Sequence, residues 1–297
     1  MAVKQSVPLR LEELSARITP TTAVFSNGLL FVQGDNQGNN ILVSADQAGN
    51  LHVTERGSAV AIAGATPATT TSVKLVVEQA GTGNNNTLST DASLGAIPDA
   101  FLGNGGGKMT FRPLNTGPSS AVGSPNAGAS NDFISNPGGK DVFVGGAGTN
   151  LFDWEPGTGT DTYIGAGKSN AVLVVGNSTG QAEQDTLLPD GQGGVVYSRV
   201  NLVPFKIYAS KIQDWYINPS SASNNTVTVG DLTGTGAKKV EVIASNSTVD
   251  ASGQNDPNVE LVVVGKRNAV SEGAGPTELL DTAAQIANAL THVPHSN

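Results

Sequence analysis

Carboxylates crowd one short stretch of this chain: Asp153 and Glu155 flank Trp154, and Asp161 follows soon after. Residues at i and i+2 of a strand point to one face, so Asp153 and Glu155 have the spacing of a carboxylate pair that could work on glycosidic bonds across a groove. The string DWEPG is equally a structural unit widened by a two-residue insertion. Three histidines are present, His52, His292 and His295. No GxSxG elbow accompanies any of them, so spacing proposes no Ser-His-Asp set. His292 and His295 form an HxxH pair that would suit a stray divalent metal or a frayed helix end. Tyr208, Trp215 and Tyr216 make the most aromatic stretch of an aromatic-poor sequence, either a platform for sugars or a plug in the core. The residues assemble no convincing catalytic set, and the chain is read as non-enzymatic.

What must position these side chains is a run of five units of nine to eleven residues between Asn126 and Leu173: NAGASNDFI, NPGGKDVFV, GGAGTNLFD, PGTGTDTYI and GAGKSNAVL. Alignment places Asn131, Asp141, Asn150, Asp161 and Asn170 sixth, and Phe133, Phe143, Phe152, Tyr163 and Val172 eighth. A unit this short cannot bury its apolar residue alone, so successive units must stack. The expected architecture is all-β for the most part: a right-handed parallel β-roll or β-helix solenoid with an appended irregular β region and a C-terminal α-helix. GDNQGNNILV and AGTGNNNTL are looser upstream copies of the same unit.

The units resemble the nonapeptide calcium-binding repeat GGxGxDxUx of RTX-type (hemolysin-type) bacterial secreted and surface proteins, which fold as a parallel β-roll. The resemblance implies Ca²⁺ held between turns by the sixth-place carboxylate and turn carbonyls, and Asp141 and Asp161 are the positions to which it carries. The other three sixth places hold neutral Asn, and Lys140 and Lys168 bring positive charge into the same turns. A ladder of hydrogen-bonded Asn side chains is therefore the favoured reading, with no cofactor expected and calcium left open. Thr226–Gly265 contains TVTVGDLTGTGAKKVEVIAS, which resembles one degenerate FG-GAP repeat in which Asp231 remains and Thr233, Thr235 and Lys239 take the later acidic places. It is expected as a β-hairpin. GAGKS at Gly165–Ser169 resembles the end of a phosphate-binding P-loop, but Thr162 stands where that loop needs Gly and a strand-like NAVLVV follows. PLRLEELSARITP resembles the LExLxxRxxP motif that precedes Gly-rich repeats in very large bacterial surface proteins, and its residues 8–18 suit a short helix.

Composition narrows the partners. The net charge of −9 with no basic stripe excludes a nucleic-acid surface, and charged residues at 14% fall well below the usual quarter. There is no Cys, so disulfides and thiolate metal sites are out. The apolar string from Ala23 is broken by Ser26, Asn27 and Gly28, so no signal peptide or membrane span is read there, and no direct membrane insertion is expected. The NxS/T sequons at Asn85, Asn177, Asn224 and Asn246 follow from Asn- and Thr-rich composition.

The expected organisation is an N-terminal arm with a short helix over 1–24, a β-solenoid over 25–175, an irregular β region with the FG-GAP-like hairpin over 176–268, and a helical tail over 269–297. PLNTGPSSAVGSPNAGA from Pro113 reads as a long loop. In the tail, Leu279, Leu280, Ala283, Ile286, Ala287 and Leu290 share a helical face with Thr277 as the cap. The expected function is that of an extracellular or cell-surface bacterial structural protein that self-assembles into, or decorates, a fibre, layer or matrix as a homo-oligomer or polymer. The alternatives are a calcium-stabilised secreted module binding carbohydrate or protein, and a solenoid polysaccharide lyase or hydrolase.

Overall fold

The computed structural model describes residues 20–135, 138–156 and 159–294. The helix expected over 8–18, most of the N-terminal arm and His295 lie outside the described residues. Within them the protein is mostly β, built from two large and mostly parallel sheets of fourteen and twelve strands, with one helix near the C-terminus.

From Leu75–Gln79 onward, successive strands go to alternate sheets. Leu75–Gln79, Asp99–Leu102, Ser119–Val122, Val142–Val144 and Asp161–Ile164 lie side by side in the fourteen-stranded sheet. Asn84–Thr90, Gly106–Pro113, Ser130–Ile134, Thr149–Trp154 and Ser169–Val175 do the same in the other. Each strand pairs in parallel with the one two places earlier, so a pair of consecutive sequence units is needed to return to the same sheet. Turns occupy the corners because Gly-rich segments reverse direction cheaply, while β-branched and aromatic residues fill the pleats.

That alternation explains the eighth-place residues. Phe133, Phe143, Phe152, Tyr163 and Val172 are all fully buried between the sheets. Phe133 pairs in register with Phe152, and Phe152 with Val172. The rings of Phe111, Phe133 and Phe152 stack at 4.8 Å per step, which is the spacing of neighbouring strands. The ladder thus sets the aromatic stack. One buried cluster continues from Ala23 to Val263 without a break.

At the N-terminal end the sheets close with antiparallel hairpins. Thr22–Ser26 pairs with Leu29–Gln33 around Asn27 and Gly28, both at positive φ (52° and 83°), the geometry of a tight two-residue turn. The strand signal therefore begins before Gly28, with an Asn-Gly turn as its marker. Three antiparallel strands, Gln184–Pro189, Val195–Arg199 and Phe205–Ser210, enter the larger sheet where the regular period fades. Afterwards the alternation resumes through Thr226–Val229, Lys239–Ile243, Thr248–Asp250, Glu260–Val264, Ala269–Ser271 and Thr277–Leu280.

Three local expectations are corrected. The FG-GAP-like segment is not a hairpin: Thr226–Val229 joins the fourteen-stranded sheet and Lys239–Ile243 the twelve-stranded one, each in parallel with the preceding strand there. The Pro113 loop contains the strand Ser119–Val122, which pairs on both sides. The tail helix is only Ala283–Leu290, capped by Thr282 in a reciprocal box with Gln285. Leu279 and Leu280 instead pair as strand with Val263 and Val264. A helix at Thr277 would have left the Glu260–Val264 edge unpaired, and pairing outweighs local helical periodicity.

Candidate functional site

The sixth-place residues divide by sheet. Asn131, Asn150 and Asn170 fall in register on the twelve-stranded sheet, facing inward and buried. The Asn131 amide donates to Asn150 Oδ1 at 2.9 Å, and Asn150 donates to Asn170 Oδ1 at 2.8 Å. Asn170 passes the chain on to Lys211 O and Gln213 Oε1. The same bond recurs upstream between Asn39 and Asn86 at 2.7 Å, after which Met109 breaks the series. Each oxygen also accepts a backbone N–H from its own corner: Ser124 for Asn131, Gly146 for Asn150, Ala166 for Asn170. The ladder expected from the sequence is present. An amide can accept from its corner and at the same time donate to the next rung, which a carboxylate cannot. The corner glycines make room for it, since a Cβ on Gly145 would stand 2.8 Å from the Asn150 side chain.

Asp141 and Asp161 occupy the matching places of the fourteen-stranded sheet, where they are buried beside Phe143 and Tyr163. Asp141 accepts the Ser119 N–H at 3.1 Å. Asp161 accepts the Asp141 N–H at 3.0 Å and the Tyr163 hydroxyl at 3.1 Å. Asp99 continues the row beyond Ser119 and accepts from the Thr90 hydroxyl at 2.7 Å. Burial, with the Asp141 charge beside it, pushes the Asp161 carboxyl up to about 8. Burial likewise raises Asp99 to about 7, and it drives Glu78, which also faces Asp99, well above the ordinary range. The sequence pattern N-D-N-D-N is thus two ladders read alternately: amides on one sheet and carboxyls on the other. Among the described residues no group of three or more His, Asp or Glu gathers in a metal-binding arrangement.

The remaining candidates are scattered. Asp153 is buried on the twelve-stranded sheet, Glu155 is exposed beyond the strand end, and Asp161 faces the interior of the other sheet. They share no groove. The GAGK turn is a corner closed by Asn170 and leads into Ser169–Val175. Trp215 is fully buried, Tyr208 is 42% exposed on the outside of the larger sheet, and Tyr216 lies under Lys239 at 5.3 Å. The aromatic trio is therefore split among three environments. Asp231 bonds Thr233 through its N–H and hydroxyl, which hold its carboxyl below the usual range. His52 pairs with Asp46 at 3.2 Å on the surface.

Two features were not legible as sites. The C-terminal segment folds across the outer face of the twelve-stranded sheet, where Val293 packs on Leu151 and Leu173. Beside it runs a groove of about 410 Å³ lined by Lys108, Asp132, Asp214, Tyr216 and His292. Asp214 and Tyr216 share one strand, whereas Lys108, Asp132 and His292 come from distant parts of the chain, so no local spacing marks the set. Lys108 and Asp132 form an ion pair across it at 3.0 Å. The second feature is the buried pair Arg199–Glu183 at 2.7 Å, in the antiparallel insertion. Burial alone would raise Glu183, but hydrogen bonds from Asn177 and Arg199 outweigh it and hold the carboxyl low. The Arg199 guanidinium also lies over Phe205, which stacks on Trp154.

No protein-family model matches the chain, and no curated protein and no solved structure matches it.

Proposed function

We propose that this chain is a non-enzymatic structural protein, a degenerate RTX-type two-sheet β-roll that adds end to end in a bacterial extracellular or cell-surface fibre, layer or matrix. The observation that carries the reading is the state of the two ends. Ser58–Val60 and Ile62–Ala63 are the outermost described strands at one end, and Ala269–Ser271 and Thr277–Leu280 at the other. Among the described residues no further strand pairs with their outer sides, and an unpaired edge offers a row of backbone donors and acceptors. Contact between unlike ends gives filaments when the rotation does not close. Support also comes from the polar repeat residues: Asn131, Asn150, Asn170, Asp141 and Asp161 all turn inward and spend their bonds holding rungs together, which suits a load-bearing rod more than a site that meets substrate.

Electron micrographs of the purified chain over rising concentration, with calcium and with chelator, test this. Filaments lengthening with concentration under both conditions are expected. Single particles at every concentration would overturn the assembly reading, and filaments seen with calcium alone would return Asp141 and Asp161 to the role that the RTX resemblance implies.

A further inference from the structure

The two sheets differ on their outer faces. The twelve-stranded sheet is crossed by the chain's own C-terminal segment and carries the ion pairs Lys108–Asp132 and Lys239–Glu241. On the fourteen-stranded sheet, strand register aligns Val24, Phe31, Val77, Ala100, Ser120 and Val142 in one outward row. The row continues through Thr162, Tyr208 and Val196 to Leu188. Beside it, Leu102, Val122, Val144 and Ile164 form a second row on the same face. No charged residue stands in either row. Val24, Val122 and Val142 are 44–45% exposed, far more than large apolar residues of a covered face.

We propose that this face seats a second copy of the chain, packed sheet against sheet. The proposal deepens the assembly reading and rests on it: ends join along the rod, and this face joins rods side by side. The size of the stripe supports a copy as occupant. It spans ten of the fourteen strands, from Thr22–Ser26 to Gln184–Pro189, which is about 43 Å at ~4.8 Å per strand. The second row, continued by Gln79, Gln33 and Thr22 on one side and Ser210 on the other, covers eight strands, so the two rows give roughly 600 Å² from each copy, at the lower end of the ~600–1,000 Å² per partner of a stable interface. Charge supports it as well. Two chains of net charge −9 repel at a distance, and these rows, with the exposed Lys206 beside them on the same face, let them touch without setting carboxylate against carboxylate. Among the row residues only Phe31 and Tyr208 are aromatic, too few for stacking along a sugar polymer. Aligned sheets pack about 10 Å apart when both faces are apolar, and a regular array of rungs is complementary to itself.

Sedimentation velocity on the wild type and on a Val122→Lys/Val142→Lys double variant tests the pairing. Both positions are exposed, so the variant is expected to melt within a few degrees of wild type. Burying two uncompensated ammonium groups in each copy's contact should weaken lateral association on the order of 100-fold. Because the chain contains no Cys, Val122→Cys carrying a spin label reports the distance between copies directly. A short label-to-label distance that vanishes in the double variant supports face-to-face packing. Unchanged association in the double variant overturns it, as do wild-type filaments one molecule wide, which would leave the end-to-end reading intact. Discrete face-to-face dimers without filaments would uphold this pairing and sink the end-to-end reading instead. A wild type monomeric at all concentrations overturns both.

Discussion

At the scale of single residues, the difference between Asn and Asp decides what each ladder can do. Asn150 donates to Gly146 O, Ala166 O and Asn170 Oδ1 while its oxygen accepts from Gly146 N and Asn131. Replacing it with Asp sets a carboxylate against those three oxygens in a buried place. Asn150→Asp should cost about 3 kcal/mol at neutral pH, more than Asn150→Ala, and part of the loss should return in acid once the carboxyl is protonated. Urea unfolding at pH 7 and pH 4 checks this, and equal loss at both pH values would show that the ladder's donors do not matter. The Asp row tolerates carboxyls for the opposite reason. Asp161 takes a backbone N–H and a hydroxyl and is not required to donate in order to link rungs, so a neutral acid serves there.

At the scale of the element, each strand is a short piece with no independent stability, and its hold comes from the rungs on either side. Phe152 shows this: its ring stacks on Phe133 at 4.8 Å and on Tyr163 at 5.1 Å, linking rungs and bridging the two sheets. Phe152→Ala should cost about 3–5 kcal/mol through lost burial and a cavity the stack cannot close. A comparable substitution in the largely exposed helix Ala283–Leu290, such as Leu290→Ala, should cost under about 1 kcal/mol. Thermal unfolding of both variants checks the contrast. Similar shifts would mean that the helix contributes to the body far more than its exposure implies. The helix itself illustrates how elements compete. Six apolar residues from Leu279 share a helical face, yet the first two are drawn into the last strand because the Glu260–Val264 edge needs a partner. Residues 176–268, read from the sequence as irregular, carry the same alternation once the antiparallel insertion is passed.

For the whole molecule, the buried carboxyls add up to a pH response. Asp161 at about 8, with Asp99 and Asp185 at about 7, retain protons in the folded chain that the unfolded chain gives up near pH 4. Their contribution to stability is complete below that value and is lost as pH rises toward 8, because the folded chain must then either bury charge or hold a proton at a cost. The melting temperature should therefore be higher by several degrees at pH 5 than at pH 8. Asp161→Asn should flatten that decline. A melting temperature that climbs between pH 5 and pH 8 would contradict the burial of these groups. The folded chain is most durable in mildly acidic surroundings.

The sequence alone determined the nine-to-eleven-residue unit, its inward apolar residue and the Asn ladder, since all of these are carried by residues at fixed short spacing. The N-terminal hairpin is not read from it: Asn27 and Gly28 count there only as breaks in an apolar run, and the structure shows them to be the turn between two strands. Only the tertiary structure decided that alternate units belong to different sheets, so that Asn and Asp form separate ladders instead of one mixed series. The same holds for the separation of Asp153, Glu155 and Asp161, for the fate of the FG-GAP-like segment, and for the uncharged outer stripe. These depend on which strands become neighbours, a long-range pairing settled by edges seeking partners and by burial between two faces, and no local periodicity encodes it.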